Sequence, residues 1–347
     1  MKVFVSFPTV RNLLFESSNK EPFCGRIDGQ ILYVWDTIDD EMLSTIIDHY
    51  GTPKYIFMDS ASCYQSKFNN VYFVDAWLEA EILMWEKNKL VIETSPIITT
   101  HIANFQINKK QINRFLTIKL CEIFDVVVDY TWSGIGSTFD LSYIIAEKQK
   151  LNDHNIDLFW NQILSPIHQF DKKWIDVNDK QIFTSSVVNY GKNYQVWNAG
   201  LNKIMSSTAV SLITESVWTQ TAATFSEKTA FSLLALTFPI WIGGYNMATE
   251  WKNKGFDIFD DIIDHSYERM PTLLERCFYA FYLNKDILTD VALAKELRSK
   301  HMDRLVNNRD RLTSDNLKKY NRKIISTWPE ELQQPALESM HRNLKLK

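Results

Sequence analysis

Several large classes of protein are argued against by what this chain has little of. Its 347 residues hold four cysteines, Cys24, Cys63, Cys121 and Cys277, with no CxxC pair and no metal-ligand spacing. That scatter argues against a zinc site and fits free thiols in a reducing cytoplasm. No stretch of about 18 or more residues is uniformly apolar, so no membrane span is expected, and the first residues lack the basic and apolar regions of a secretory leader. Histidine offers little either: His154 and His168 stand alone, without the orienting partner that a general base needs. Gly134-Ile135-Gly136 is a single Gly-x-Gly, which is weak evidence for a phosphate loop.

What the chain does have is 45% hydrophobic residues, enough for real cores, and a length that suggests two domains. Its most informative stretch runs from Ala209 to Tyr267. The apolar run 209–214 reads as a buried strand closed by the carboxylate of Glu215. Ser226 is a good helix N-cap, Glu227 a favourable first-turn residue, and 230–236 the apolar body of that helix. A second strand, 238–242, ends in Gly243-Gly244. Strand, helix, strand and glycine turn make a βαβ unit, whose polar edge is where parallel sheets bind ligands. Lys228 stands out there, because a cation in a first turn opposes the helix dipole unless an anion neutralises it. Glu215 and Glu227 are candidates to accept hydrogen bonds from ribose hydroxyls, and Ser226, Thr229, Gly243 and Gly244 complete the candidate diphosphate site.

The strings Ser211-Leu212-Ile213-Thr214-Glu215, Ser226-Glu227-Lys228-Thr229, Phe238-Pro239-Ile240, Gly255-Phe256-Asp257-Ile258-Phe259-Asp260-Asp261 and Asp264-His265-Ser266-Tyr267-Glu268 together resemble the donor-binding half of GT-B glycosyltransferases. They are most similar to fucosyltransferase-like and phage-encoded members. The likeness covers about 60 residues in order and says little about the acceptor. It implies an α/β fold of two facing Rossmann-like domains and a nucleotide-sugar co-substrate, without a bound metal. Asp260, Asp261 and Asp264 are accordingly read as a solvated helix start and not as metal ligands.

The first 95 residues read as an acceptor-side α/β domain. Strands are expected at 2–7, 31–35 and 55–58, a helix that starts at Asp39 and stops at Gly51-Thr52-Pro53, and a packing helix at 73–89 whose aromatic stripe is core. Asp36 and Asp59 follow two of these strands and are candidate catalytic bases, although most such aspartates cap the next helix. A donor domain is expected over 96–285. There a strand at 97–105 delivers Asn108 and Lys109, and a helix spans 112–124. The family pattern at this point is N-x-x-P-R-P-H-R; Asn108 and Arg114 match its ends with one residue fewer between them, Asn113 stands where histidine is usual, and no proline is present. Arg114 is a candidate diphosphate ligand, since a guanidinium binds phosphate through two parallel donors. Strand 126–132 carries Tyr130 and Trp132, which the resemblance places near the nucleobase.

Residues 286–347 read as helices with breaks near Thr313-Ser314 and Trp328-Pro329, and the resemblance implies that they cross back over the cleft. Lysine and arginine exceed acids by five over 285–347 in a chain of net charge −4. Lys318, Lys319, Arg322 and Lys323, with Arg304, Arg309 and Arg311, are therefore candidates to line a nucleic-acid backbone. The expectation is a metal-independent, inverting glycosyltransferase in the cytoplasm, of the host cell if phage-encoded. Its acceptor would be a hydroxymethylated pyrimidine in double-stranded phage DNA. A glycan or lipid-linked sugar acceptor, and a non-catalytic nucleotide or nucleic-acid binding relative, remain open at this stage.

Overall fold

The computed structural model describes residues 24–27, 30–34, 43–44, 47–48, 51–58, 63–64, 67–92, 103–107, 112–132, 151, 156, 160, 197–215 and 222–346. The chain is mixed α/β and divides into two compact units. One takes Met1–Lys87, Thr221–Phe225 and Thr313–Lys347, and the other takes Asn88–Gln220 and Ser226–Leu312.

In the first unit, β1 (Cys24–Ile27), β2 (Ile31–Val34), β3 (Tyr55–Met58) and β5 (Val71–Phe73) form one sheet in that spatial order. β1 pairs antiparallel with β2, and β2, β3 and β5 run parallel. β4 (Cys63–Tyr64) pairs instead with β9 (Ala222–Ala223). β3 has the expected bounds, and its last three residues are buried, as the continuous apolar run of a covered parallel strand requires. The packing helix is α1 (Ala76–Asn88), with Leu78, Ile82 and Trp85 buried. The strand expected at 2–7 and both candidate bases, Asp36 and Asp59, lie outside the described residues.

The second unit is built on β6 (Ala103–Ile107), α2 (Ile112–Ile123), β7 (Val128–Trp132), α3 (Asn202–Ser206), β8 (Val210–Ile213), α4 (Glu227–Leu234) and β10 (Phe238–Trp241). All neighbours in its sheet are parallel, in the order β10-β8-β6-β7. The expected βαβ unit is present: β8 and β10 pair directly, and α4 connects them. β8, β10 and the body of α4 are buried throughout, and Leu212, Phe238 and Ile240 join α2, Leu273, Leu274 and Phe281 in one core.

Helices α5 (Met247–Asn253), α6 (Leu273–Leu283), α7 (Lys285–Thr289), α8 (Val291–Lys300) and α9 (Met302–Arg311) complete this unit, with a 3-10 turn at Ser266–Arg269 before α6. α6 opens with a full capping box between Thr272 and Glu275.

The last helices, α10 (Ser314–Ile325) and α11 (Glu330–Leu346), belong to the first unit. Glu86 of α1 accepts from the Ser314 amide, 2.9 Å, and hydroxyl, and Asn321 donates to Glu79 at 2.9 Å and to the Asp75 carbonyl at 3.1 Å. Trp328 and Leu332 pack with Phe57 and Val74, and Glu331 accepts from Lys54 and Tyr55. The breaks expected near Thr313 and Pro329 are where these helices begin, with Thr313 as the N-cap of α10. No helix among the described residues is long and apolar enough to cross a membrane.

Candidate functional site

Strand order locates the site before any side chain is considered. From β6 the chain passes through α2 to β7 on one side, and from β8 it passes through α4 to β10 on the other. The order therefore reverses between β6 and β8, and the crevice beyond their carboxyl ends is flanked by the starts of α2 and α4. In open parallel sheets this switch point is where ligands bind.

The candidate residues converge there. Glu215, two residues past β8 and 3% exposed, receives the Ser226 amide at 2.9 Å, the Ser226 hydroxyl, and the Thr229 hydroxyl at 2.6 Å. Its carboxylate thus fixes the entry to α4, and the Ser226 side chain accepts in turn from the Lys228 amide as N-cap. Thr229 also accepts from the Trp241 indole at 3.0 Å, which links the start of α4 to the end of β10. Glu215 therefore spends its oxygens inside the protein, as the residue that positions the helix.

Lys228 is 5% exposed, and its ammonium lies 2.9 Å from a Glu227 oxygen and 3.2 Å from the Ser226 hydroxyl. Arg114, in the first turn of α2 and 1% exposed, is within Coulombic reach of Glu227 and Glu215. Burial lowers its proton affinity, and the two carboxylates oppose that change. For Glu227 burial disfavours the charged form, but Lys228 and Arg114 outweigh it and hold the carboxyl below its usual range. Two cations and two carboxylates thus share one secluded corner at the starts of two helices.

Asn113 replaces the histidine of the family pattern, and it has a definite task here. Its amide donates to the Glu215 carbonyl at 3.0 Å and its side-chain oxygen accepts from the Arg114 amide at 3.0 Å, so it joins the start of α2 to the end of β8. Gly243, with φ of +82°, lies directly beneath. A Cβ there would fall 2.6 Å from Leu273 Cδ1 and 3.3 Å from Asn113 Cβ, and Arg276 donates to the Gly243 carbonyl at 3.0 Å. A Cβ on Gly244 would meet only the flexible Met247 side chain. Asn108 and Lys109 lie outside the described residues, and Tyr130 and Trp132 are placed as backbone in β7.

Two expectations change. Asp260 and Asp261 do not begin a helix; Asp260 pairs with Lys252 at 2.6 Å, and Asp257 and Asp261 together grip Arg304. Arg304 is thereby committed to ion pairs within the second unit, as is Arg309 with Asp310, while Arg311 donates to the Gly255 carbonyl. Arg304 and Arg309 of that basic set thus have carboxylate partners within the second unit, and Arg311 is tied to a backbone carbonyl. Lys318, Lys319, Arg322 and Lys323 differ. They lie on α10 in the first unit, Lys318 half-buried and the other three exposed, with no ion pair among the described residues.

Sequence reasoning quoted His265 and Glu268 within a longer string and gave neither a role. His265 Nε2 lies 2.9 Å from the Ile258 carbonyl, so this nitrogen carries the proton and Nδ1 is left as a buried acceptor with no partner among the described residues. Burial lowers its pKa, against the Ile258 carbonyl and the charges of Asp260 and Asp264. The folded state therefore binds this proton less readily than the unfolded chain, whose histidines titrate near ~6.5. The stability from His265 is complete above that pH and is lost as pH falls from about 6.5 toward the folded value. The melting temperature is expected to drop between pH 7 and 5, and His265→Gln to flatten that drop. An unchanged slope in the variant would show that other groups carry it.

No protein-family model, no curated protein and no solved structure matches this chain.

Proposed function

We propose that this protein is a GT-B glycosyltransferase, metal-independent and inverting, that moves a sugar from a nucleotide-sugar donor to a hydroxyl acceptor. The observation that carries the reading is the meeting of Arg114, Glu215, Glu227 and Lys228 at the switch point between β6 and β8. A diphosphate there would draw Lys228 away from Glu227, place its charge on Arg114 and the start of α4, and release Glu227 toward the ribose hydroxyls. The same contacts would stabilise the leaving diphosphate as the bond to the anomeric carbon breaks. In the first domain a carboxylate, with Asp36 and Asp59 as candidates, would take the proton of the attacking hydroxyl. Absence of a metal requirement rests on the family resemblance.

For the acceptor the reading favours a hydroxymethylated pyrimidine in duplex DNA over a glycan. Support comes from the exposed cations of α10, which make no ion pair among the described residues. Four phosphate contacts predict that the logarithm of the DNA association constant falls against the logarithm of salt concentration with a slope of roughly −3 to −4. Lys319→Ala and Arg322→Ala should each reduce that slope by about one. Binding that ignores salt, or no duplex binding at all, would move the acceptor to a glycan or lipid-linked sugar.

A further inference from the structure

The second unit also holds a cleft of about 570 Å³, between the start of α5 and the segment from Ile258 to Arg269. Its lining is mixed. Ala248, Ile258, Ile262 and Ile263 supply apolar surface; Asp260, Asp261, Asp264 and Glu268 face a single lining guanidinium, Arg269. Lys252 and Arg304 already neutralise Asp260 and Asp261, which leaves Asp264 and Glu268 without an ion-pair partner among the described residues.

The capacity for hydrogen bonds in this cleft is not used up by the protein. Among the described residues Glu268, 2% exposed, receives only the Ala248 amide, at 2.8 and 3.1 Å to its two oxygens. Burial raises its proton affinity, against the Ala248 amide and the charges of Arg276 and Arg269, and its oxygens keep further capacity to accept. His265 lines the same cleft and keeps Nδ1 as a buried acceptor without a partner among the described residues. Buried polar groups with spare capacity are costly unless a ligand completes them.

One fully buried ring, Trp241, stands between the cleft and the charged corner. The Trp241 indole donates to Thr229 at the start of α4, and its ring lies 5.7 Å from the His265 ring. We infer that this cleft receives the sugar ring of the donor and selects uncharged sugars against acidic ones. Glu268 and His265 hold ring hydroxyls, apolar lining meets the C–H faces, and Asp264 disfavours a carboxylate on the sugar. Phosphate is directed by charge to Arg114 and Lys228. This inference rests on the nucleotide-sugar reading and adds the substrate class to it.

Calorimetric titration with UDP, UDP-glucose and UDP-glucuronate, and with GDP, GDP-mannose and GDP-mannuronate, tests it. For the nucleotide that binds, the neutral conjugate should bind about tenfold or more tightly than the uronate. Glu268→Ala should weaken the neutral conjugate about tenfold. Asp264→Asn, at an exposed position that tolerates exchange, should narrow the gap to the uronate to under about threefold. Both variants should keep wild-type affinity for the parent diphosphate, which shows that they are folded. Equal binding of neutral and acidic conjugates, or a gap unchanged by Asp264→Asn, with the diphosphate still bound, would overturn the sugar subsite and leave the donor reading standing. No binding of any of the six would overturn both.

Discussion

Substituting Lys228 by alanine is expected to reduce transfer, measured as kcat/KM for the nucleotide sugar, by about a hundredfold or more. Removing one preorganised donor to a developing anion costs roughly 2.7–4 kcal/mol in enzymes that rely on such contacts. Here the ammonium is 5% exposed and so already largely desolvated, and the pair it makes with Glu227 at 2.9 Å is the one contact that has to open before it meets a phosphate. Arg114→Lys should act in the same direction, because a point charge cannot reproduce the two-point fork. Lys228→Ala also leaves Glu227 with less compensating charge, so the melting temperature has to be read beside the rate. A folded variant with near wild-type kcat/KM would separate Lys228 from the chemistry.

The second large effect is on stability and lies away from the site. Arg298 of α8 is fully buried and donates to three carbonyls: Leu236 at 2.8 Å, Ser206 at 2.7 Å and Ala235 at 2.9 Å. These oxygens close α3 and α4, where a cation is favoured by the helix dipole. α4 ends in a Schellman turn, with Thr237 donating to the Ser232 carbonyl and Leu236 to the Leu233 carbonyl. The left-handed position is Leu236, φ 58°, in place of the usual glycine. Such a conformation costs a leucine on the order of 1–2 kcal/mol, and Arg298 grips the carbonyl of that same residue. Arg298→Met removes the guanidinium and leaves buried acceptors, each worth about 1–3 kcal/mol when unsatisfied. Part of that is returned because a charge no longer has to be buried; the pKa of Arg298, pushed down to about 10, reflects that cost. The expected net loss is about 3 kcal/mol, read as a lower midpoint in denaturant with an unchanged slope. A loss under about 1 kcal/mol would mean that water or a shifted loop replaces the arginine.

The starts of elements were legible in the sequence where the physics is local. Ser226 announces α4 because its hydroxyl accepts from the backbone two residues on, and the continuous apolar runs at 210–213 and 238–241 announce strands covered on both faces. The end of α4 was not legible, since a leucine in a left-handed turn is held there by an arginine 62 residues later. Arg298 itself resembles a surface residue of an amphipathic helix, and only the packing reveals that it is buried.

At the site, the sequence brought out Arg114, Glu215, Ser226, Glu227, Lys228 and Thr229, which the fold gathers at one switch point. Their division of labour was hidden. Glu215 reads as a ribose acceptor by type, yet its oxygens are spent on Ser226 and Thr229. Asn113 reads as a departure from a pattern, yet it joins β8 to α2. His265 and Glu268 were given no role because one titratable residue in an acidic stretch reads as solvated surface, and their seclusion depends on α5 and β10.

The most direct measurement of the central claim is a crystal structure with a bound nucleoside diphosphate. The account predicts diphosphate oxygens within hydrogen-bond distance of Arg114 and Lys228 at the start of α4, with the pair between Lys228 and Glu227 opened. A diphosphate bound elsewhere, or Lys228 still closed on Glu227 beside an occupied site, would contradict it.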